Sequence, residues 1–226
     1  RSSDLYTIEV NDNELVNNSI NTASYGIIVY ENPTYKPNPF NRLQVNNNVI
    51  TGFNTGIRAA YLYQPEISEN SIDIIDNYYP TGILVFVNTR AVVTTNEIRG
   101  VPLPVGDCTI NADPGAASIG IKIENSYDAY VSCNTVEELH KGFEYNGFLG
   151  NITSTAFYEN YMGYCVYQFY LRNVLYGLGN IGGSAAALNT WASLGLCGGA
   201  GANAYKNTRA DNSNHLPGLT NFIELA

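Results

Sequence analysis

Lys122, Glu124 and Glu144 are the residues whose types and spacing could do acid–base chemistry. Each lies at an outward position of a segment with alternating apolar residues, so a general base, a general acid and a positive charge could share one surface. The same pattern describes a solvated ion-pair patch, and catalysis is not expected from it. Asp73 and Asp76 could contribute to a Ca²⁺ site, but such a site needs about six to eight oxygens, and two carboxylates in one turn do not supply them. His140, after Glu137-Glu138-Leu139, and His215, near the C-terminus, lack an acid or nucleophile partner in the sequence and are read as surface histidines. Neither a Gly-x-Ser-x-Gly elbow nor a phosphate loop occurs, and no cofactor is expected.

Binding chemistry is better represented. Among 18 tyrosines, Tyr30, Tyr35, Tyr61, Tyr63, Tyr78 and Tyr79 fall at outward or loop positions, where exposed rings stack on sugar faces and anchor protein contacts. Four cysteines, Cys108, Cys133, Cys165 and Cys197, lack the close pairing of a zinc site and are expected to form two bridges of unassigned connectivity.

These residues need a scaffold, and composition limits which. The chain has 226 residues, only 14% of them charged, with a net charge of −9. No run of Lys or Arg could follow a phosphate backbone, so nucleic acid is not an expected partner. No apolar stretch reaches the ~18 residues of a membrane span. With about 30 asparagines, the fold must use Asn systematically.

A repeat of about 22 residues supplies that use. A Gly-hydrophobic pair recurs at Gly26-Ile27, Gly56-Ile57, Gly82-Ile83, Gly120-Ile121, Gly142-Phe143 and Gly163-Tyr164. An Asn with apolar flanks recurs at Leu15/Asn18/Ile20, Val45/Asn48/Ile50, Ile67/Asn70/Ile72, Val93/Asn96/Ile98 and Val131/Asn134/Val136, and Ile152/Thr155/Phe157 continues the pattern without Asn. Alternation rich in β-branched residues, as in Ile83/Val85 and Ile121/Ile123, belongs to strands with one face inward. Stacked coils then place Ile27, Ile57, Ile83, Ile121, Phe143 and Tyr164 in one ladder. Val29, Ala59, Val85, Ile123, Tyr145 and Val166 form a second, and Leu15, Val45, Ile67, Val93, Val131, Ile152 and Val174 a third. Asn is assigned to a bend, where it tolerates a left-handed backbone and its amides can pair from coil to coil. Gly is assigned to the next corner, where a positive φ or close packing excludes Cβ. Insertions rich in Pro, at Pro33–Pro39, before Pro80 and at 101–117, are expected to project as loops.

With Gly-Ile and Asn-x-Ile at coil intervals, the chain resembles the pectate-lyase-like parallel β-helix repeat proteins. The resemblance implies an all-β, right-handed parallel β-helix over residues 1–178, with 179–226 as a capping or exit segment of the same domain. It leaves function open, because that group includes lyases, hydrolases, epimerases, adhesins and phage spikes. The Asn-rich texture, with Gly179-Asn180-Ile181 and Asn189-Thr190-Trp191, resembles Bacteroidota surface proteins exported by type IX secretion. The expected function is an extracellular or cell-surface module, adhesin-like, binding glycan or protein, with a larger chain or surface complex as its expected setting. The alternative is a polysaccharide lyase or glycoside hydrolase acting on a glycan that lies across the coils.

Overall fold

The computed structural model describes residues 7–18, 24–31, 42–74, 80–101, 118–126, 128–146, 156–163, 167–172, 180–181, 190–192, 208–211 and 221–222. The chain winds as a right-handed parallel β-helix with three sheets, every strand pairing parallel to its neighbour one coil away. Sheet 1 contains Thr7–Asn11, Arg42–Asn46, Glu66–Ser68, Val92–Thr94, Tyr130–Ser132 and Ala156–Tyr158. Sheet 2 contains Glu14–Val16, Val49–Thr51, Ser71–Asp73, Glu97–Arg99, Thr135–Glu137, Tyr161–Gly163 and Thr190–Ala192. Sheet 3 contains Tyr25–Tyr30, Thr55–Ala60, Thr81–Phe86, Ile119–Glu124, Lys141–Asn146, Tyr167–Arg172 and Thr208–Asp211. The segment 179–226 thus adds strands to sheets 2 and 3, and also pairs Asn180–Ile181 with Asn221–Phe222. Of the three Pro-rich insertions, residues 32–41, 75–79 and 102–117 lie outside the described residues.

The inward columns explain why these segments become strands. Ile57, Ile83, Ile121 and Phe143 stand in consecutive register and are fully buried, as are Val45, Ile67, Val93 and Val131 on sheet 1. Sheet 2 contributes Ile50, Ile72, Ile98, Val136 and Met162. β-Branched side chains suit this pleated, closed interior, and each fully buried one contributes roughly 1.5–3 kcal/mol of burial free energy.

At both ends the register differs from the expected one. In the first coil Val10, not Leu15, pairs with Val45, and Leu15 pairs with Ile50, so the corner residue is Asn13 rather than Asn18. In the sixth coil Phe157 pairs with Val131 and Met162 with Val136, which makes Asn160 the corner residue. The Asn pattern therefore continues where Thr155 had been assigned. Phe169 and Leu171, not Tyr164 and Val166, stand opposite Phe143 and Tyr145, while Gly163 belongs to sheet 2 opposite Glu137. Ile152, Thr155, Tyr164, Val166 and Val174 themselves lie outside the described residues.

The corner between sheets 1 and 2 has the same length in all six coils: two residues separate Asn11 from Glu14, Asn46 from Val49, and so on to Tyr158 and Tyr161. Other connections vary, as between Arg99 and Ile119 or Val16 and Tyr25. The constant corner holds an unbroken amide ladder. Nδ2 of Asn13, Asn48, Asn70, Asn96 and Asn134 donates to Oδ1 of the next asparagine at 2.9, 2.8, 2.9, 3.0 and 2.9 Å. The same Oδ1 accepts the preceding asparagine's backbone N–H at 3.0–3.1 Å. The remaining amide hydrogen reaches back to a buried carbonyl, Val45 for Asn70 and Ile67 for Asn96. The ladder matches the proposed amide stacking, but the left-handed residue is the one before each Asn: Asp12, Asn47, Glu69, Thr95, Cys133 and Glu159 have φ of 54–58°. Asparagine is required for its amide, because no other side chain this short offers two N–H donors together with a carbonyl acceptor.

The glycine column serves close packing rather than a positive φ. A Cβ on Gly82 would stand 2.6 Å from Ile98 Cγ2 and 2.7 Å from the Gly120 carbonyl. Gly82 and Ile83 thus both face inward, and the in–out alternation slips by one residue at this corner.

Replacing Asn96 by Ala leaves the buried Asn70 N–H without its acceptor and takes one of several partners from Asn70 Nδ2 and from the Ile67 and Thr94 carbonyls, which keep the Val45 and Ser68 carbonyls and backbone N–H groups respectively. With a buried unmet donor costing about 1–3 kcal/mol, N96A is expected to lower unfolding free energy by about that amount in urea titration. Asn13→Ala, at the exposed end, is expected to cost under ~1 kcal/mol.

Candidate functional site

The outer face of sheet 3 gathers most of the candidate residues. One column runs Ile28, Arg58, Leu84, Lys122, Glu144, Tyr170; the next runs Tyr30, Ala60, Phe86, Glu124, Asn146, Arg172. The sixth-coil register puts Tyr170 and Arg172 at the final positions and Tyr167 opposite Lys141. The slip at the glycine corner adds a third column, headed by Tyr25 and containing Lys141, which strict alternation would have turned inward.

The structure brings Lys122, Glu124 and Glu144 together and adds Lys141. Lys122 Nζ lies 2.6 Å from Glu124 Oε2 and 3.7 Å from Glu144 Oε1, and Lys141 Nζ donates to Glu144 Oε2 at 2.6 Å. Lys141 and Glu144 are buried; Lys122 and Glu124 are about one-fifth exposed. Four alternating charges thus form a neutral chain from interior to surface. Both carboxylates are bound by ammonium groups, and Glu144, held between two lysines and covered, is poorly placed to meet a substrate. Asp128 belongs elsewhere, 4.0 Å from Arg90 of the preceding coil.

Removing one partner of a buried pair leaves the other charge uncompensated, at about 3–5 kcal/mol. Glu144→Gln is therefore expected to destabilise the fold by roughly that amount, and Glu124→Gln by under ~1 kcal/mol, measured by denaturant unfolding.

Toward the N-terminal end the same face is aromatic. Tyr25, Ile28 and Tyr30 are exposed, Tyr30 by 65%. The Arg58 guanidinium lies over the Tyr25 ring at 5.7 Å and the Phe86 ring at 6.0 Å, and its Nη1 donates to the Tyr25 hydroxyl at 3.3 Å. Tyr61, held in a left-handed turn with φ of 59°, meets Phe86 edge to face at 5.5 Å. Tyr63 lies one corner further on and accepts from Arg90 Nη1 at 3.3 Å. Tyr30 and Tyr61 thus flank a strip whose other members, Tyr25, Arg58 and Phe86, were not among the expected binding residues. The available signal was a lone cation, Arg58, between apolar Ile28 and Leu84. Tyr35, Tyr78 and Tyr79 lie outside the described residues.

Other candidates are dispersed. Asp73 is exposed at the end of its strand, Asp76 lies outside the described residues, and among the described residues no three His, Cys, Asp or Glu side chains group as metal ligands. His140 Nδ1 meets Ser118 Oγ at 2.8 Å and accepts from the Ser118 N–H at 3.3 Å, which ties neighbouring coils at the head of sheet 3. His215, Cys108, Cys165 and Cys197 lie outside the described residues. Tyr145 is buried in the core as expected, and burial pushes its phenol well above the ordinary range.

Cys133 is an exposed free thiol that donates to Glu159 Oε2 at 3.4 Å. Desolvation, then the Glu159 carboxylate, raises its pKa above the usual thiol value. The thiolate fraction is therefore depressed at neutral pH and recovers as pH rises. Alkylation by iodoacetamide, followed by mass spectrometry, is expected to be slower than for glutathione at pH 8, and Glu159→Gln is expected to speed it.

No protein-family model matches the chain, and no curated protein or solved structure matches it significantly.

Proposed function

We propose that this chain is a secreted or cell-surface binding module, a rigid rod that takes an extended glycan along the aromatic half of sheet 3. The observation that carries this reading is the strip Tyr25, Tyr30, Arg58, Tyr61 and Phe86: large rings on a surface whose backbone is fixed on both sides by parallel pairing. Stacking on a sugar face favours such pre-positioned rings, because binding then orders few rotatable bonds. Coil repetition at about 4.8 Å also gives a polymer successive contact rows. A larger surface assembly suits the same rod, since the stack positions a binding face at a distance without flexing.

A catalytic reading has one observation in its favour, the convergence of Lys122, Glu124 and Glu144. Their mutual neutralisation and the burial of Glu144 favour a structural role.

Glycan-array screening of the intact chain tests the proposal. Binding is expected, with Tyr30→Ala and Tyr61→Ala each weakening it about tenfold. Absence of binding to any glycan would refute the sugar reading. Incubation with the bound polysaccharide is expected to release neither unsaturated nor reducing ends; release of either would establish the enzyme instead.

A further inference from the structure

Resting on the glycan reading, we infer that the ligand is acidic and that Arg58 is its charge anchor. Arg58 differs from the other described cations on the outer face of sheet 3, and only the exposed Arg42 of sheet 1 shares its lack of a carboxylate among the described residues. Lys122 and Lys141 are bound by carboxylates, and even the exposed Arg90 and Arg99 lie within 4.0 Å of Asp128 and of Glu97 and Glu137. Arg58 has no carboxylate within ion-pair distance among the described residues, although the chain carries a net charge of −9. Its neighbours along the column are Ile28 and Leu84.

Its hydrogen bonding is equally incomplete. A guanidinium has five N–H donors; the Tyr25 hydroxyl takes one from Nη1, and Nε is buried without an acceptor among the described residues. A half-buried cation in apolar surroundings loses hydration, and the rings of Tyr25 and Phe86 return only part of that loss. What the site lacks is a planar or tetrahedral oxyanion able to accept from the fork. Tyr30 and Tyr61 beside it supply stacking surface for the ring bearing that group. A sugar polymer with carboxylate or sulfate substituents satisfies both demands, while a neutral glycan satisfies only the second.

Calorimetric titration of the full chain with oligogalacturonate, a sulfated dextran oligosaccharide and a neutral dextran oligosaccharide tests this. One acidic ligand at least is expected to bind more tightly than the neutral one, less so as salt increases, and the two acidic arms distinguish carboxylate from sulfate. Arg58→Gln is expected to weaken acidic binding about tenfold to a hundredfold, and Arg58→Lys less, since it keeps the charge and loses the fork. Independently of any variant, the bound acidic ligand is expected to protect Arg58 from phenylglyoxal, read by peptide mass spectrometry. Equal or tighter binding of the neutral ligand, unchanged affinity in Arg58→Gln, or undiminished phenylglyoxal labelling would overturn the anchor while leaving glycan binding intact. No binding to any of the three, nor to any glycan on the array, would overturn both.

Discussion

The coil-to-coil amide contact of asparagine is the interaction on which the rest of this molecule depends. A parallel β-helix must turn sharply between two sheets on every coil, and each turn leaves backbone donors and acceptors inside the stack where water cannot serve them. One Asn per coil answers most of that demand, accepting a backbone N–H and a side-chain amide from the preceding coil while donating to the next Oδ1 and to a buried carbonyl. The arrangement tolerates no slack. Turn length is the same in all six coils, and the residue before each Asn takes a left-handed backbone whether it is Asp, Asn, Glu, Thr or Cys. Local strain at a non-glycine residue is thereby accepted for a fully satisfied ladder.

Fixing one corner frees the others. Because the Asn corner sets register, coils lengthen elsewhere without shifting the inward columns, and the ladder spacing of 22 residues grows to 26, 35 or 38. The outer face of sheet 3 benefits directly: its strands keep common register across coils of unequal length, so side chains from Tyr25 to Glu144 meet on one surface. That face divides into an aromatic half around an arginine with no carboxylate partner among the described residues and a charged half closed by its own ion pairs. The first has unmet binding capacity; the second has used its own.

Much of this was legible in the residues, and the failures have physical reasons. Coils two to five were readable because two landmarks, Gly-Ile and Asn-x-Ile, agreed in their spacing. In the first coil, neighbouring asparagines at positions 11, 13, 17 and 18 offered several registers, and Asn18 fitted the interval to Gly26 although the true corner is Asn13. In the sixth, added residues between Asn146 and Ala156 displaced the interval, so Asn160 went unrecognised. Lys141 and Tyr25 were missed for another reason. Period-two alternation is a rule for continuous strands, and it slips where two consecutive residues face inward at the glycine corner. Lys122, Glu124 and Glu144 were found because they lie beyond that slip.

The most direct measurement of the central claim is hydrogen exchange of the asparagine side-chain amides, followed by NMR. The ladder predicts that the Nδ2 protons of Asn70 and Asn96 exchange only with global unfolding, orders of magnitude more slowly than those of exposed asparagines such as Asn18. Exchange of the Asn70 and Asn96 amides at the rate of exposed side chains would contradict the ladder and the register built upon it.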